Sequence, residues 1–167
     1  ADGVKWAINQ GFADTNRICI YGGSFGAYSA LMNVILYPEL YRCAAGVAGM
    51  YDFETQRKRS DTAELDMADD FFNRVFGEDE QTAIDFSPVY HTNKIQVPIF
   101  IAHGGKDERT PIQQARKLRK GLKDNNVQFE WMEKKNEGHG FFVEQNRIDF
   151  YTALLDFISK HTSKKDD

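Results

Sequence analysis

The spacing of apolar residues changes several times along the chain, and this predicts strands that alternate with helices. Short apolar runs typical of strands occupy residues 17–21, 42–50, 97–102 and 127–132. The last of them alternates apolar and polar positions, as a strand near a sheet edge does. Because strands joined through helices pair in parallel with right-handed crossovers, the pattern predicts an α/β fold with about four parallel strands and flanking helices.

Helical spacing is found at residues 2–11, 25–36, 111–125 and 142–161. The last segment is predicted as an amphipathic terminal helix. Its apolar face consists of Ile148, Tyr151, Leu154, Leu155 and Ile158. Residues 52–77 are charged and carry several phenylalanines, which predicts one or two helices inserted over the carboxyl edge of the sheet.

Length and composition are consistent with one domain over residues 1–162, followed by a charged tail at 163–167. The chain has 167 residues, of which 41% are hydrophobic, and a formal net charge of −4. Acidic and basic residues are interspersed without a basic stripe, and no apolar run is long enough to span a bilayer, so neither nucleic acid nor membrane is a predicted partner. No secretory signal sequence is recognised, but the chain begins within a predicted helix, and no compartment is assigned.

Two cysteines, Cys19 and Cys43, each lie in an apolar strand-like run. We predict two buried free thiols rather than a disulfide or a metal-binding pair, since no C-x-x-C spacing occurs. The sequence contains no cluster with metal-ligand spacing and no phosphate-binding loop, and it therefore predicts no metal or other cofactor.

The segment Gly22-Gly23-Ser24-Phe25-Gly26 lies where the first strand turns into a helix. In that context G-x-S-x-G indicates a nucleophile elbow, with Ser24 in a strained conformation that lifts its hydroxyl above the sheet. The turn is expected to be so tight that a Cβ at Gly22 or Gly26 would clash. The N–H of Phe25 is then free to face an oxyanion. The alternative is a glycine-rich turn in which Ser24 only caps the helix.

Candidate acid and base residues follow the third and fourth predicted strands. Asp107 and His139 lie in loops that, like the one holding Ser24, leave the carboxyl end of a strand and gather at one edge of a parallel sheet. The order Ser, Asp, His is that of α/β-hydrolases. Glu108 is a rival acid. His103 is a rival base, although we expect it to pack or to bond locally beneath the site.

Five motifs together resemble the catalytic domain of the prolyl oligopeptidase family, especially its acylaminoacyl-peptidase and dipeptidyl-peptidase-like bacterial members. They are Gly-Gly-Ser-Phe-Gly-Ala-Tyr, Ala-Gly-Met-Tyr-Asp, Ser-Pro-Val, His-Gly-Gly-Lys-Asp-Glu-Arg-Thr-Pro and Glu-Gly-His-Gly-Phe. The resemblance covers essentially the whole chain. It implies a serine peptidase that cuts short peptides through an acyl-enzyme on Ser24, with Asp107 as the acid and His139 as the base. It also implies that Met50 and Phe53 line the specificity pocket. Phe25 stands where the family usually has Tyr, a difference that does not affect the backbone N–H.

The same resemblance implies that this is the C-terminal half of an α/β-hydrolase fold. The family's catalytic domain has eight strands, and this chain matches the last four. The early strands, the loop with the second oxyanion donor and the N-terminal propeller have no counterpart here. The chain alone is therefore expected to be poorly active, and to self-associate or to pair with the missing N-terminal part. Two alternatives are an esterase or lipase with the same triad and a non-catalytic interaction domain.

Overall fold

Four short strands form a single parallel sheet. The computed structural model describes residues 1–65, 67–77 and 79–163, so residues 164–167 of the predicted charged tail lie outside the described part. The strands are β1 (Cys19–Gly23), β2 (Cys43–Val47), β3 (Ile99–Gly104) and β4 (Phe129–Lys134), and they pair in the order β1-β2-β3-β4. Every pairing is parallel, which confirms the predicted α/β fold.

The connections between the strands are mostly helical. The helices are α1 (Asp2–Asn9), α2 (Phe25–Leu36), α3 (Phe53–Arg59), α4 (Ala68–Phe76), α5 (Glu80–Asp85), α6 (Ile112–Asp124) and α7 (Glu144–Thr162). Short 3₁₀ turns occur at Pro38–Leu40, Asp61–Glu64, Pro88–Tyr90 and Thr92–Lys94. No helix among the described residues is both long enough and apolar enough to cross a bilayer.

The core has a layer on each face of the sheet, because successive residues of the central strand β3 point to opposite faces. Ile99 and Ile101 contribute to the cluster that contains Leu31 of α2 and Leu118 of α6. Phe100 contributes to the cluster on the α7 side. Both faces of the sheet are therefore covered by helices, as a parallel sheet requires.

The two cysteines form a disulfide, and the prediction of two free thiols was wrong. Cys19 and Cys43 lie directly opposite each other in the register of β1 and β2, with their Cα atoms 4.7 Å apart. That separation lies within the range that a disulfide spans. The sequence pattern placed each cysteine in a strand but did not establish that the two strands are neighbours in this register.

Helix α7 packs through a face that only partly overlaps the predicted one. The buried side chains are Phe150, Leu154 and Phe157. Phe100 of β3 contacts the two phenylalanines, at ring-centroid distances of 6.2 and 5.7 Å. Of the five predicted residues, Leu154 is buried and Ile158 packs against the same cluster, whereas Ile148 is 51% exposed, Tyr151 54% and Leu155 62%. The helix carries two apolar stripes, and its periodicity alone does not determine which of them meets the sheet.

Candidate active site

Ser24 occupies a tight turn between β1 and α2. Its backbone has φ 55° and ψ −120°, a strained conformation for a residue with a side chain. The N–H of Ser24 donates to the carbonyl of Val47 at 2.9 Å, which ties the turn to β2. A Cβ at Gly22 would collide with the backbone of Gly26. The clash expected at Gly26 itself is not found, because a Cβ there would point into open space.

The structure brings Ser24, His139 and Asp107 into one hydrogen-bonded chain. Nε2 of His139 lies 3.0 Å from Oγ of Ser24, and Nδ1 lies 2.9 Å from Oδ2 of Asp107. A carboxylate only accepts, so Nδ1 carries the ring proton and Nε2 is free to accept from the serine hydroxyl. Ser24 makes no side-chain cap to α2. Its hydroxyl is thus directed to the imidazole and not to the helix.

The carboxylate of Asp107 is buried, with 4% of the residue exposed, and is held by several donors. The N–H of Thr110 donates to Oδ1 at 2.8 Å, and the Thr110 hydroxyl lies 2.9 Å from Oδ2. Burial raises the pKa of Asp107, but hydrogen bonds from His103, His139 and the Thr110 N–H outweigh it and hold that pKa well below its ordinary range. The carboxyl group is therefore ionised at neutral pH. Glu108, the rival acid, is exposed.

His103 is fully buried beneath Asp107, as expected for a residue that bonds locally. Its Nε2 lies 2.8 Å from the carbonyl oxygen of Thr110 and 3.3 Å from Oδ2 of Asp107. Since a carbonyl only accepts, Nε2 carries a proton. Nδ1 has no hydrogen-bond partner among the described residues. His103 thus supports Asp107 from below and does not reach the serine.

The first N–H of helix α2 and a mainly apolar pocket lie beside the serine. Helix α2 begins at Phe25, so the N–H of Phe25 has no carbonyl partner within the helix. A pocket of about 250 Å³ opens next to it. Its lining comprises Phe25, Tyr28, Phe53, Val75, Phe76, Gly77, Thr82 and Phe86. Phe53 thus lies at the pocket. Met50 is buried in the same aromatic cluster but is not part of that lining.

Two residues near the triad received no role in the sequence analysis. Thr110 follows Asp107 by three positions, the spacing at which an aspartate binds the N–H of a turn, and that spacing is the signal that could have identified it. Glu137 precedes His139 by two positions and is buried although charged. The signal available in the sequence for Glu137 was a single acidic residue in a glycine-rich run just before a helix. The described residues contain no group of His, Cys, Asp or Glu side chains that could hold a metal ion.

The chain matches a family model and several known proteins over most of its length. The model of the prolyl oligopeptidase family matches residues 1–165. Dipeptidyl aminopeptidase BIII of Pseudoxanthomonas mexicana is 23% identical over 164 residues, which are 95% of this chain and 24% of that protein. Inactive dipeptidyl peptidase 10 of mouse is 25% identical over 160 residues, or 93% of this chain and 19% of that protein. The chain therefore spans about a quarter or less of the length of these relatives.

Among solved structures, the acylaminoacyl peptidase of Pyrococcus horikoshii matches with a TM-score of 0.84 at 20% identity. The match covers 98% of this chain and 27% of that one. At this identity the likeness concerns the fold, and it confirms the prediction of an α/β-hydrolase arrangement of four strands.

Proposed function

Since the chain belongs to the prolyl oligopeptidase family, we propose that it is the catalytic portion of a serine peptidase that hydrolyses short peptides. Ser24 is the nucleophile, His139 the general base and Asp107 the residue that orients the imidazole. The observation that carries this proposal is the chain of hydrogen bonds from the hydroxyl of Ser24 to the imidazole and on to the buried carboxylate.

In the proposed reaction Nε2 of His139 takes the proton of Ser24 as Oγ attacks the carbonyl carbon of the scissile peptide bond. Asp107 stabilises the imidazolium that forms, and the N–H of Phe25 donates to the oxyanion of the tetrahedral intermediate. The imidazolium then gives its proton to the leaving amine, which leaves an acyl-enzyme on Ser24. Water, activated by the same imidazole, hydrolyses the ester and regenerates the serine.

The pocket beside Phe25 supports a preference for an apolar side chain at the cleavage site. Its walls are mainly aromatic and aliphatic, and the phenylalanines beneath it are packed against one another. Met50 and Phe53 remain the proposed substrate-binding residues, Phe53 as a wall of the pocket and Met50 as support behind it.

We further propose that the remainder of a longer enzyme completes both the sheet and the site. Strand β1 pairs only with β2 among the described strands, so its other edge is unpaired. The exposed side chains of Ile148, Tyr151 and Leu155 on α7 add apolar surface. Tyr21 of β1 lies near this helix, with its ring centroid 6.3 Å from that of Phe150. An edge strand beside apolar surface is a site for strand pairing. Among the described residues we assign one oxyanion donor, the N–H of Phe25, and the loss of a second costs a factor of about 10²–10³ in rate.

The test is covalent labelling by a fluorophosphonate, which reacts with activated serines. Because the chain alone is expected to be poorly active, labelling of the wild type should be slow but should reach stoichiometry. We expect no labelling of Ser24→Ala, and the wild-type rate for Ser163→Ala, which removes an exposed serine outside the site. Stoichiometric labelling of Ser24→Ala would refute the assignment. Comparison of matched peptide and ester substrates then separates a peptidase from an esterase.

A non-catalytic role is the second candidate, because the mouse relative is named inactive. Membership of the family therefore does not by itself establish activity. The unbroken series of hydrogen bonds that links Ser24, His139 and Asp107 favours catalysis, since an interaction domain does not require that these three side chains be hydrogen-bonded.

A further inference from the structure

The carboxylate of Glu137 closes the loop that carries His139. It is buried, with 3% of the residue exposed. Oε2 accepts the N–H of Phe142 at 2.9 Å, while Oε1 accepts the N–H of Val143 at 2.9 Å and the side-chain amide of Asn146 at 2.6 Å. The side chain of Glu137 thus ties the beginning of the loop to the start of α7, and His139 lies in the loop between these two points.

The main chain of Glu137 is attached to the loop that carries Asp107. Its carbonyl accepts the N–H of Lys106 at 2.8 Å. At the end of β3, a Cβ on Gly104 would collide with the carbonyl groups of Glu137 and Gly138. The two loops are therefore in direct backbone contact. Because Glu137 lies at this contact, its position affects where the loop with His139 lies relative to the loop with Asp107.

Between these attachments, His139 is at the apex of a tight turn. The N–H of Gly140 donates to the carbonyl of Gly138 at 2.9 Å, and Gly140 has φ 126°, a conformation that side chains disfavour. A turn this short has little freedom of its own. Its orientation depends on how its two ends are held.

We propose that Glu137 is a positioning residue that sets the imidazole of His139 between Ser24 and Asp107 by clamping both ends of this loop. It acts through the backbone and touches neither the substrate nor the ring. The proposal rests on the function proposed above, in which His139 is the base.

The charge of Glu137 is suited to this role. The amide of Asn146 and the N–H groups of Phe142 and Val143 lower the pKa of the Glu137 carboxyl, and their effect exceeds that of burial, which raises it. The start of α7 also favours an anion. Glutamine has nearly the same shape, but it offers one acceptor oxygen instead of two, and its NH₂ group would face a backbone N–H or the amide of Asn146.

The experiment compares Glu137→Gln with Glu144→Gln, which removes an acid from the first turn of α7. Fluorophosphonate labelling of Ser24 is measured well below the melting temperature, so that both variants are folded. A displacement of about 1 Å at a catalytic group costs up to about 100-fold in rate. We expect labelling of Glu137→Gln to slow by about 10- to 100-fold, and labelling of Glu144→Gln to stay within about 2-fold of the wild type.

Equal rates for Glu137→Gln and the wild type, or equal losses in both variants, would overturn the proposal. If Glu137→Gln does not fold, Asn146→Asp places a second carboxylate against Oε1 and is expected to slow labelling, whereas an unchanged rate again overturns the proposal.

The NMR signal of the Nδ1 proton of His139 is a readout independent of labelling: it is expected in the wild type and lost or shifted in Glu137→Gln. If Ser24 is not labelled in the wild type, the proposed function fails, while this signal still tests Glu137.

Discussion

Thr110 binds both oxygens of the Asp107 carboxylate: its N–H donates to Oδ1 at 2.8 Å, and its hydroxyl lies 2.9 Å from Oδ2. The same hydroxyl is 2.9 Å from the carbonyl of Ala48 and 3.3 Å from Nδ1 of His139. The hydroxyl has one proton, which it can donate to either acceptor oxygen, and it lies within hydrogen-bond distance of Asp107, His139 and the carbonyl that follows β2. It fixes the rotation of the carboxylate, which in turn determines the direction of the imidazole.

Thr110→Val removes the hydroxyl and keeps the shape of the side chain. Because a hydrogen bond to a charged group is worth about 1.5–3 kcal/mol, we expect labelling of Ser24 to slow by about 10- to 100-fold. Thr110→Ser restores the hydroxyl and should recover most of the rate. Equal rates for the valine and serine variants would contradict this role.

The lowered pKa of Asp107 predicts how stability depends on pH. A group whose folded-state pKa is lowered stabilises the fold above its unfolded pKa, about 3.9 for aspartate, and loses this contribution as the pH falls through the folded-state value. The difference in free energy of unfolding between wild type and Asp107→Asn should therefore shrink as the pH falls from about 4 towards 2. Urea unfolding of both proteins at each pH measures this difference in free energy of unfolding. A difference that grows on acidification would reverse the assigned direction.

The two elbow glycines should respond differently to alanine. A Cβ at Gly22 meets backbone, which cannot move aside as a side chain can, so we expect Gly22→Ala to destabilise the protein by about 1–3 kcal/mol or more. A Cβ at Gly26 meets open space within a helix, where alanine is preferred to glycine by about 0.5–1 kcal/mol. Gly26→Ala should be neutral or stabilising in thermal unfolding. Equal destabilisation by both changes would contradict the geometry of the turn.

The disulfide predicts a dependence on reductant. The pair closes a loop with a sequence separation of 24 residues, for which the chain-entropy model gives about 3.5 kcal/mol. Reduction, or the double change of Cys19 and Cys43 to serine, should lower the free energy of unfolding by about this amount. Iodoacetamide should not modify the denatured, non-reduced protein. Modification of both cysteines under those conditions would instead support the free thiols predicted from the sequence.

Adjacent leucines on α7 test which face of the helix is buried. Leu154 is buried against the sheet, and Leu155 is mostly in solvent. Leu154→Ala should cost about 2–5 kcal/mol in free energy of unfolding, and Leu155→Ala should stay within about 0.5 kcal/mol. Similar costs at the two positions would instead support the face predicted from periodicity, which contains both leucines.

The sequence pattern located the strands but ended several of them early. The third strand was expected at residues 97–102 and is found at Ile99–Gly104, and the fourth was expected at 127–132 and is found at Phe129–Lys134. Backbone pairing continues through His103 and Gly104, opposite Glu133 and Lys134. A ladder of N–H and C=O groups does not depend on the polarity of the side chains, so it extends past the apolar run towards the site.

The candidate site was accessible to sequence analysis only in part. Ser24, Asp107 and His139 belong to residue types with distinctive chemistry and follow strands, so topology alone predicted that they would gather. Thr110 and Glu137 are common residue types whose importance depends on a few ångströms of loop geometry. The pairing of β1 with β2 in register, which brings the cysteines together, likewise depends on contacts between distant parts of the chain.

The aromatic cluster beneath the pocket has its five buried members within one contiguous stretch, residues 50–76, whereas the triad loops follow β1, β3 and β4. The support of the proposed substrate pocket is thus largely encoded apart from the three proposed catalytic residues, although Phe25 and Tyr28, which also line that pocket, belong to the helix that follows Ser24. Exchange of residues 50–76 between homologues is expected to alter one wall of the pocket and to leave the three loops in place.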